Sequence, residues 1–448
     1  MPANLTPSIR LKELDQLTRV TTLPSGMRLV HIPMPHDDRF YLGSIMLAGA
    51  RHEPADKPGI SHFMEHMMFR GSRRYPSFQK LAAAFEKLGG EWNAETGYEH
   101  TEFWYNGHRS NWKKTIDIFA DFLCAPVFMD IESERKLIKR ELQREINEHG
   151  LSTDLDYYHQ KQCWPGSHLD RSILGTHESI RSIRRADLLA FHAEWYTPEN
   201  MVVCTVGGGE GNGNGCGDEV MAAMEARFQR YRKKRTGPRH PVIKPGRFRG
   251  PATTWIDQPD TDYQVQLSFP CGGEWSRDDV PGRLLARILG DGFCSRLQAR
   301  LREDLGLVYD LEVHTNFFTD SGSVDIIATV GSRQIQRFFS ETVRILNRLA
   351  ARGPTEAELR LAKSRALTEL ELTPSTPDLI GFRWSWAVLS GRNPSLFRAA
   401  RLIHAISRDR MERFCRRLLQ KRNVSLVILG PEDTDLRQNL EKQIAKMP

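Results

Sequence analysis

Two short apolar runs, each ended by a glycine, lie about half a chain apart. The run 201–206 is rich in β-branched residues and precedes Gly207, and the run 424–429 has the same character and precedes Gly430. Asparagine stands directly before each run, as Asn200 and Asn423. Runs of this length and composition predict buried strands.

The spacing of these runs recurs elsewhere in the chain. A distance of 223 residues (281 − 58) separates Pro58-Gly59 from Pro281-Gly282, and the same distance separates Phe191 from Phe414. Because half of 448 residues is 224, the pattern predicts two copies of one structural unit.

Each copy shows the same predicted order of opening strands, a helix, a strand hairpin, several helices and a closing strand. Besides the two closing runs, strands are expected at 27–33, 40–47, 102–105, 263–269, 307–314 and 323–329. Helices are expected near 76–88, 110–123, 132–148, 332–351 and 355–372. Since strands occur in runs separated by helices, we predict an α+β fold with two homologous domains, each a mainly antiparallel sheet covered by helices.

The predicted boundary between the copies is a basic stretch rich in proline and glycine. Residues 230–235 are mostly basic, and Pro238, Pro241 and Pro245 follow without a helical or strand period. We therefore predict an N-terminal domain at 1–232, a linker at 233–251 and a C-terminal domain at 252–448. The glycine-rich segment 207–217 resembles a phosphate loop only superficially, because no G-K-[ST] follows, and it is predicted to be a flexible turn.

Composition places the chain among ordinary globular proteins. It has 40% hydrophobic and 27% charged residues, and its 63 basic against 56 acidic side chains give a net charge of +7. That surplus is small for 448 residues, so we expect no nucleic-acid partner. Neither a secretory signal nor a membrane span is visible, and we expect a cytoplasmic protein without a membrane partner.

The strongest chemical pattern is a pair of histidines with an acid between them, in the segment His62-Phe63-Met64-Glu65-His66. On a helix, positions i, i+3 and i+4 share one face, so two imidazoles could bind one zinc ion while the carboxylate reaches a metal-bound water. Chance would produce this string about 0.06 times in such a chain. A shift of 223 residues places Leu285, Ile288 and Leu289 at the same positions, so packing of the helix does not require polar residues there.

These residues and their surroundings resemble the pitrilysin family of inverzincin peptidases, nearest its half-length members similar to mitochondrial processing peptidase. The resemblance rests on the zinc motif and on three flanking segments: Gly59-x-x-His62, Phe69-x-Gly71-Ser72 and Leu88-Gly89-Gly90-x-x-Asn93-Ala94-x-Thr96. It implies a zinc endopeptidase with one zinc ion per chain, acting on peptides or unfolded polypeptides in an enclosed chamber. It also implies that Asn93 and Ala94 lie on a strand edge that pairs with substrate.

A third zinc ligand is expected on the helix 132–148. Glu134, Glu141 and Glu145 share one stripe of that helix. The resemblance selects Glu141 as the ligand and Glu134 as a residue that orients a ligand, whereas the pattern alone leaves Glu145 open.

Glu65 is expected to be the general base, acting on zinc-bound water. The segment from Arg302 to Tyr309 is similar to the family's Arg-x6-Tyr, which implies that both side chains contact substrate near the zinc. Glu99 and His100 either line the site or belong to a turn.

Because longer relatives join two double units in one chain, we expect a homodimer, with a heterodimer with a related subunit left open. The alternative function is a non-catalytic or partner-dependent peptide-binding subunit of a processing-peptidase-like complex.

Overall fold

A computed structural model describes residues 9–209, 216–231, 244–259 and 262–448. The described strands of the first half are β1 (Arg19–Thr22), β2 (Arg28–Ile32), β3 (Arg39–Met46), β4 (Glu91–Thr96), β5 (Thr101–His108) and β6 (Met201–Val206). Those of the second half are β7 (Ala252–Asp257), β8 (Asp262–Cys271), β9 (Val308–Phe317), β10 (Gly322–Gly331) and β11 (Ser425–Gly430).

The strands form two sheets, and the five strands of the second sheet are arranged like the last five of the first. The first sheet has the order β1-β2-β6-β3-β5-β4, and the second has the order β7-β11-β8-β10-β9. In the first sheet the closing strand β6 pairs in parallel with β2, so that Val30 aligns with Cys204. In the second sheet the closing strand β11 pairs in parallel with β7, so that Trp255 aligns with Ile428. The remaining neighbours are antiparallel. The predicted α+β fold class with two similar, mainly antiparallel units is confirmed.

Helices cover one face of each sheet and enclose a separate apolar core. The first half contains α1 (Ile9–Leu17), α2 (Ile60–Met68), α3 (Phe78–Glu86), α4 (Trp112–Cys124), α5 (Ile131–Arg144), α6 (Leu155–Cys163), α7 (His177–Ser182), α8 (Arg185–Trp195) and α9 (Cys216–Phe228). The second half contains α10 (Asp279–Gly290), α11 (Ile335–Arg352), α12 (Glu356–Leu372), α13 (Pro377–Leu389), α14 (Leu396–His404), α15 (Arg408–Leu418) and α16 (Thr434–Ile444). A π-helical turn occupies Gln298–Asp304 and a 3₁₀ turn occupies Ala50–His52.

Each half also donates one helix to the sheet of the other half. Helix α13 packs on β3 and β6 of the first sheet, and α6 packs on β11 and β8 of the second. Ile380 and Trp384 of α13 join Tyr41 and Val202 in one buried cluster. The 223-residue shift superimposes the range of α6 on that of α13, so the exchange is reciprocal and ties the two units together.

The structure corrects one predicted helix that matters for the site. The helix expected at 132–148 ends at Arg144, and Glu145 already has the non-helical dihedrals of a C-cap. The stripe that placed Glu145 beside Glu141 therefore ends before Glu145. Of the predicted linker 233–251, residues up to 243 lie outside the described residues, as do residues 210–215 of the glycine-rich segment.

Candidate metal centre

Helix α2 presents its apolar side to the core and its two histidines to the other side. Phe63, Met64 and Met67 are fully buried among the residues of the first core. His62 and His66 project from the other side of the helix, with 14% and 17% of their side chains exposed. The spacing predicted from the sequence thus places both imidazoles on one face.

The start of α2 is held by a buried carboxylate that the sequence analysis did not identify. Glu53 accepts hydrogen bonds from the backbone N–H groups of Gly59, at 2.8 Å, and Ser61, at 3.0 Å. Gly59 has a left-handed φ of 87°, and a Cβ atom there would lie 2.7 Å from the carbonyl oxygen of Leu174. Burial raises the pKa of Glu53 to about 7. These contacts set where the helix begins and so which of its residues face away from the core.

Helix α5 brings a carboxylate to the two imidazoles. Glu141 Oε2 lies 3.6 Å from His66 Nε2 and 3.9 Å from His62 Nε2. Among the described residues, one group of three histidine, cysteine, aspartate or glutamate side chains has ligand atoms that all lie within 4.8 Å of one another. Its members are His62, His66 and Glu141.

The orientation of His66 is determined by its other ring nitrogen. Nδ1 lies 2.9 Å from Glu134 Oε2, and the second oxygen of Glu134 accepts a hydrogen bond of 2.8 Å from Arg70. A carboxylate at this position favours a proton on Nδ1 and leaves the lone pair of Nε2 for a metal. Burial alone would lower the pKa of His66, but the bond to Glu134 and the charges of Glu141 and Glu65 raise it.

The donor set fits a zinc ion. Two imidazoles and one carboxylate are the ligands that catalytic zinc uses, with one position left for water or substrate. Glu141 Oε2 is buried and has no hydrogen-bond partner among the described residues, which is costly unless a cation lies there. Burial, reinforced by His66, lowers the pKa of His62 to about 3, so this ring is neutral as a ligand must be.

Glu65 lies next to this group and is oriented by strand β4. Its Oε2 accepts a hydrogen bond of 2.5 Å from the hydroxyl of Thr96, the last residue of β4. Burial raises the pKa of Glu65 above its ordinary value, while the bond from Thr96 opposes that rise. Thr96 is a site residue that sequence reasoning missed, although it belongs to the segment that carried the family resemblance.

Strand β4 also carries Asn93 and Ala94. It pairs with β5 on one side and has no strand on the other among the described residues. Asn93 is exposed and Ala94 half-buried. Their backbone groups therefore lie on an open edge beside α2.

Arg302 and Tyr309 lie in the second unit and not in this group. Arg302 belongs to the π-helical turn, where its guanidinium lies 5.9 Å from the ring centroid of Phe293. Tyr309, on β9, is 90% exposed. Neither forms a hydrogen bond or ion pair with His62, His66 or Glu141 within the described part of the chain.

Comparison with known proteins agrees with this geometry. Residues 31–177 match the model "Insulinase (Peptidase family M16)", and residues 182–366 match "Peptidase M16 inactive domain". The chain belongs to peptidase family M16. His62, Glu65, His66 and Glu141 of this M16 chain fall in the first match, and Arg302 and Tyr309 fall in the second.

Curated relatives of this M16 chain carry the name zinc protease. An uncharacterized zinc protease of Mycobacterium tuberculosis is 28% identical over 437 residues, which cover 96% of either chain. One from Mycobacterium leprae is 30% identical over 352 residues, covering 77% of this chain and 76% of the relative. The resemblance to half-length zinc peptidases is thereby confirmed.

Solved structures share the M16 fold at lower identity. A protease from Helicobacter pylori has a TM-score of 0.84 at 18% identity, covering 92% of this chain and 99% of the other. The periplasmic protease PqqL from Escherichia coli has a TM-score of 0.75 at 17% identity, covering 97% of this chain but 50% of its own. No helix within the described ranges combines the length and apolar composition that a membrane span requires.

Proposed function

We propose that this protein is a zinc-dependent endopeptidase with one zinc ion per chain, held by His62, His66 and Glu141. The observation that supports this most directly is the approach of Glu141 Oε2 to both Nε2 atoms, with its own hydrogen-bonding capacity unfilled. When bound, zinc would supply a water of lowered pKa and polarise the scissile carbonyl.

Each side chain of the site has a separate task in this proposal. Glu65 takes the proton of the attacking water and delivers it to the leaving amine. Thr96 occupies one oxygen of Glu65, and the other oxygen is assigned to the proton transfer. Glu134 holds the ring of His66 in the tautomer that binds metal.

Peptide binding is assigned to the open edge of β4. An extended substrate can add to this edge through main-chain hydrogen bonds along Asn93 and Ala94, without strict demands on its sequence. Such binding suits peptides or unfolded segments and excludes folded helices.

The second unit is proposed to complete the site of another copy. Tyr309 is 90% exposed and Arg302 is 45% exposed, as expected for side chains that await a partner surface. Their donors would stabilise the oxyanion of the tetrahedral intermediate. The proposed assembly is a homodimer in which each copy serves the other, and a related second subunit could take the same place. This chain matches 50% of the PqqL chain, so a dimer would bring together two such lengths.

A non-catalytic peptide-binding subunit is the second candidate function. The match of residues 182–366 to a model called inactive domain favours it for that half alone. It predicts peptide binding without hydrolysis.

Zinc content and peptide hydrolysis of the same preparation distinguish the two functions. Metal-free protein should regain about one zinc per chain, and endopeptidase activity on an unstructured fluorogenic peptide should return in proportion. Failure of the protein to bind zinc after metal-free purification would overturn the peptidase, whereas zinc binding without hydrolysis would favour the subunit.

A further inference from the structure

The tips of two equivalent hairpins, one from each unit, meet in the molecule. The turn 97–100 joins β4 to β5, and the turn 318–321 joins β9 to β10. A shift of 221 residues (318 − 97) relates the two turns. The rings of Tyr98 and Phe318 meet edge to face, with centroids 5.6 Å apart.

A buried ion pair fastens this contact. Arg51, whose side chain is 1% exposed, donates to Glu99 Oε1 at 2.7 Å and to Asp320 Oδ2 at 2.6 Å. Glu99 also accepts hydrogen bonds from the backbone N–H of Thr319, at 2.8 Å, and from its hydroxyl, at 2.6 Å. We call Arg51, Glu99, Thr319 and Asp320 the hairpin clamp. Since buried charges are tolerated only when paired and hydrogen-bonded, the clamp specifies one position for the tip.

The clamp acts on the same hairpin that orients the proposed base. The backbone N–H of Arg51 donates a hydrogen bond of 2.8 Å to the carbonyl oxygen of Tyr98, the residue before Glu99. Thr96, three residues before Glu99, holds Glu65. The proposed metal ligands stand on other elements, His62 and His66 on α2 and Glu141 on α5.

We propose that Glu99 is a positioning residue for Glu65, and that the second unit takes part in positioning through Thr319 and Asp320. The role rests on the proposed function, in which Glu65 is the general base. Displacement of the β4 end by about 1 Å would move the hydroxyl that orients Glu65, and errors of that size can cost about a hundredfold in rate. Metal binding would be unaffected, because its ligands stand on other elements.

Substitutions in the second unit test this role and leave the ion pair of Arg51 with Glu99 in the first unit intact. Thr319→Val removes one hydroxyl donor to Glu99, and Asp320→Asn removes one charge opposite Arg51, which keeps its pair with Glu99. The double variant should bind zinc normally and remain folded at the assay temperature, while kcat falls about tenfold or more. Thr319→Ser and Asp320→Glu keep the donor and the charge and should restore most of kcat.

A matched control comes from a different contact between the halves. Asp15 on α1 accepts hydrogen bonds from the hydroxyl of Ser395, at 2.6 Å, and from Leu396 N–H, at 3.1 Å. Asp15→Asn should lower the melting temperature and leave kcat per folded molecule unchanged. A loss of kcat in the control as large as in the clamp variant would show that the effect is general destabilisation.

A double-mutant cycle on the wild-type background decides whether the clamp works through Thr96. Thr96→Val should lower kcat by itself, and the clamp substitutions should add little in its presence. An unchanged kcat in the clamp variant, or full additivity with Thr96→Val, would overturn the positioning role while wild-type hydrolysis upholds the proposed function. A wild-type enzyme that binds zinc and hydrolyses nothing would overturn both.

Discussion

Glu134 accepts the Nδ1 hydrogen of His66 at 2.9 Å and a hydrogen bond from Arg70 at 2.8 Å. The carboxylate is only 6% exposed, so water cannot replace it. One buried side chain thereby determines which nitrogen of His66 faces Glu141.

Glu134→Gln should weaken zinc binding without abolishing it. The amide oxygen can still accept from His66, but the charge that raises the basicity of the ring is lost. We expect the zinc dissociation constant to rise by about ten- to a hundredfold, as measured by competition with a chelating dye. An unchanged zinc affinity would show that Glu134 does not support the ligand.

Glu65→Gln should separate metal binding from catalysis. The substitution removes the proton acceptor and leaves His62, His66 and Glu141 in place. Zinc content should stay near one per chain, while kcat falls by at least about a hundredfold. Loss of zinc together with activity would mean that Glu65 is a ligand and not the base.

Glu141→Gln and Glu145→Gln should differ sharply in zinc affinity. Glu141 points its buried oxygen at both imidazoles, whereas Glu145 follows the end of α5. The first variant should lose more than about a hundredfold in affinity, a larger loss than replacement of a supporting residue causes. The second should bind zinc like the wild type, and the reverse result would reassign the third ligand.

The end of α5 marks where sequence reasoning about the site stopped. The periodicity of residues 132–148 placed Glu134, Glu141 and Glu145 on one stripe, and only the C-cap geometry at Glu145 separates the last from the others. Helix ends depend on local capping and on tertiary contacts, which periodicity does not record. The motif on α2, by contrast, was predictable because three polar side chains one turn apart must share a face.

Contacts between the two units left no trace in the sequence pattern. The 223-residue repeat predicted two similar sheets, and their strand orders agree. It did not predict that α6 and α13 exchange sheets, or that Glu99 pairs with Arg51 and the Thr319–Asp320 turn. These contacts join residues from 48 to more than 200 positions apart in the chain, and no local period encodes them.

Buried Glu102 should make stability depend on pH. It accepts a hydrogen bond of 2.7 Å from Tyr41, and burial raises its pKa to about 7. The folded state therefore holds a proton that the unfolded chain releases near pH 4.5, so this carboxyl costs stability as pH rises from about 4.5 to about 7.

Glu102→Gln keeps an acceptor for Tyr41 and cannot ionise. Relative to this variant, the wild type should lose about 2–3 kcal/mol of unfolding free energy between pH 4.5 and 7.5. Urea titrations of both proteins at several pH values measure the difference. Parallel pH profiles would show that Glu102 ionises in the folded protein as readily as in the unfolded chain.

Subunit mixing tests whether Tyr309 serves a second copy. Tyr309→Phe changes a 90% exposed side chain, so the variant should fold normally, and Glu65→Gln and Tyr309→Phe should each be weakly active alone. In a mixed dimer, action between copies combines an intact Glu65 from one chain with an intact Tyr309 from the other at one of the two sites. Random exchange makes half of the dimers mixed, so activity should recover to roughly a quarter of the wild-type value.

If Tyr309 acted within its own chain, every site would keep one defect and mixing would restore nothing. Absence of recovery, once exchange is demonstrated with differently tagged chains, would therefore rule out the homodimer in which Tyr309 crosses to its partner.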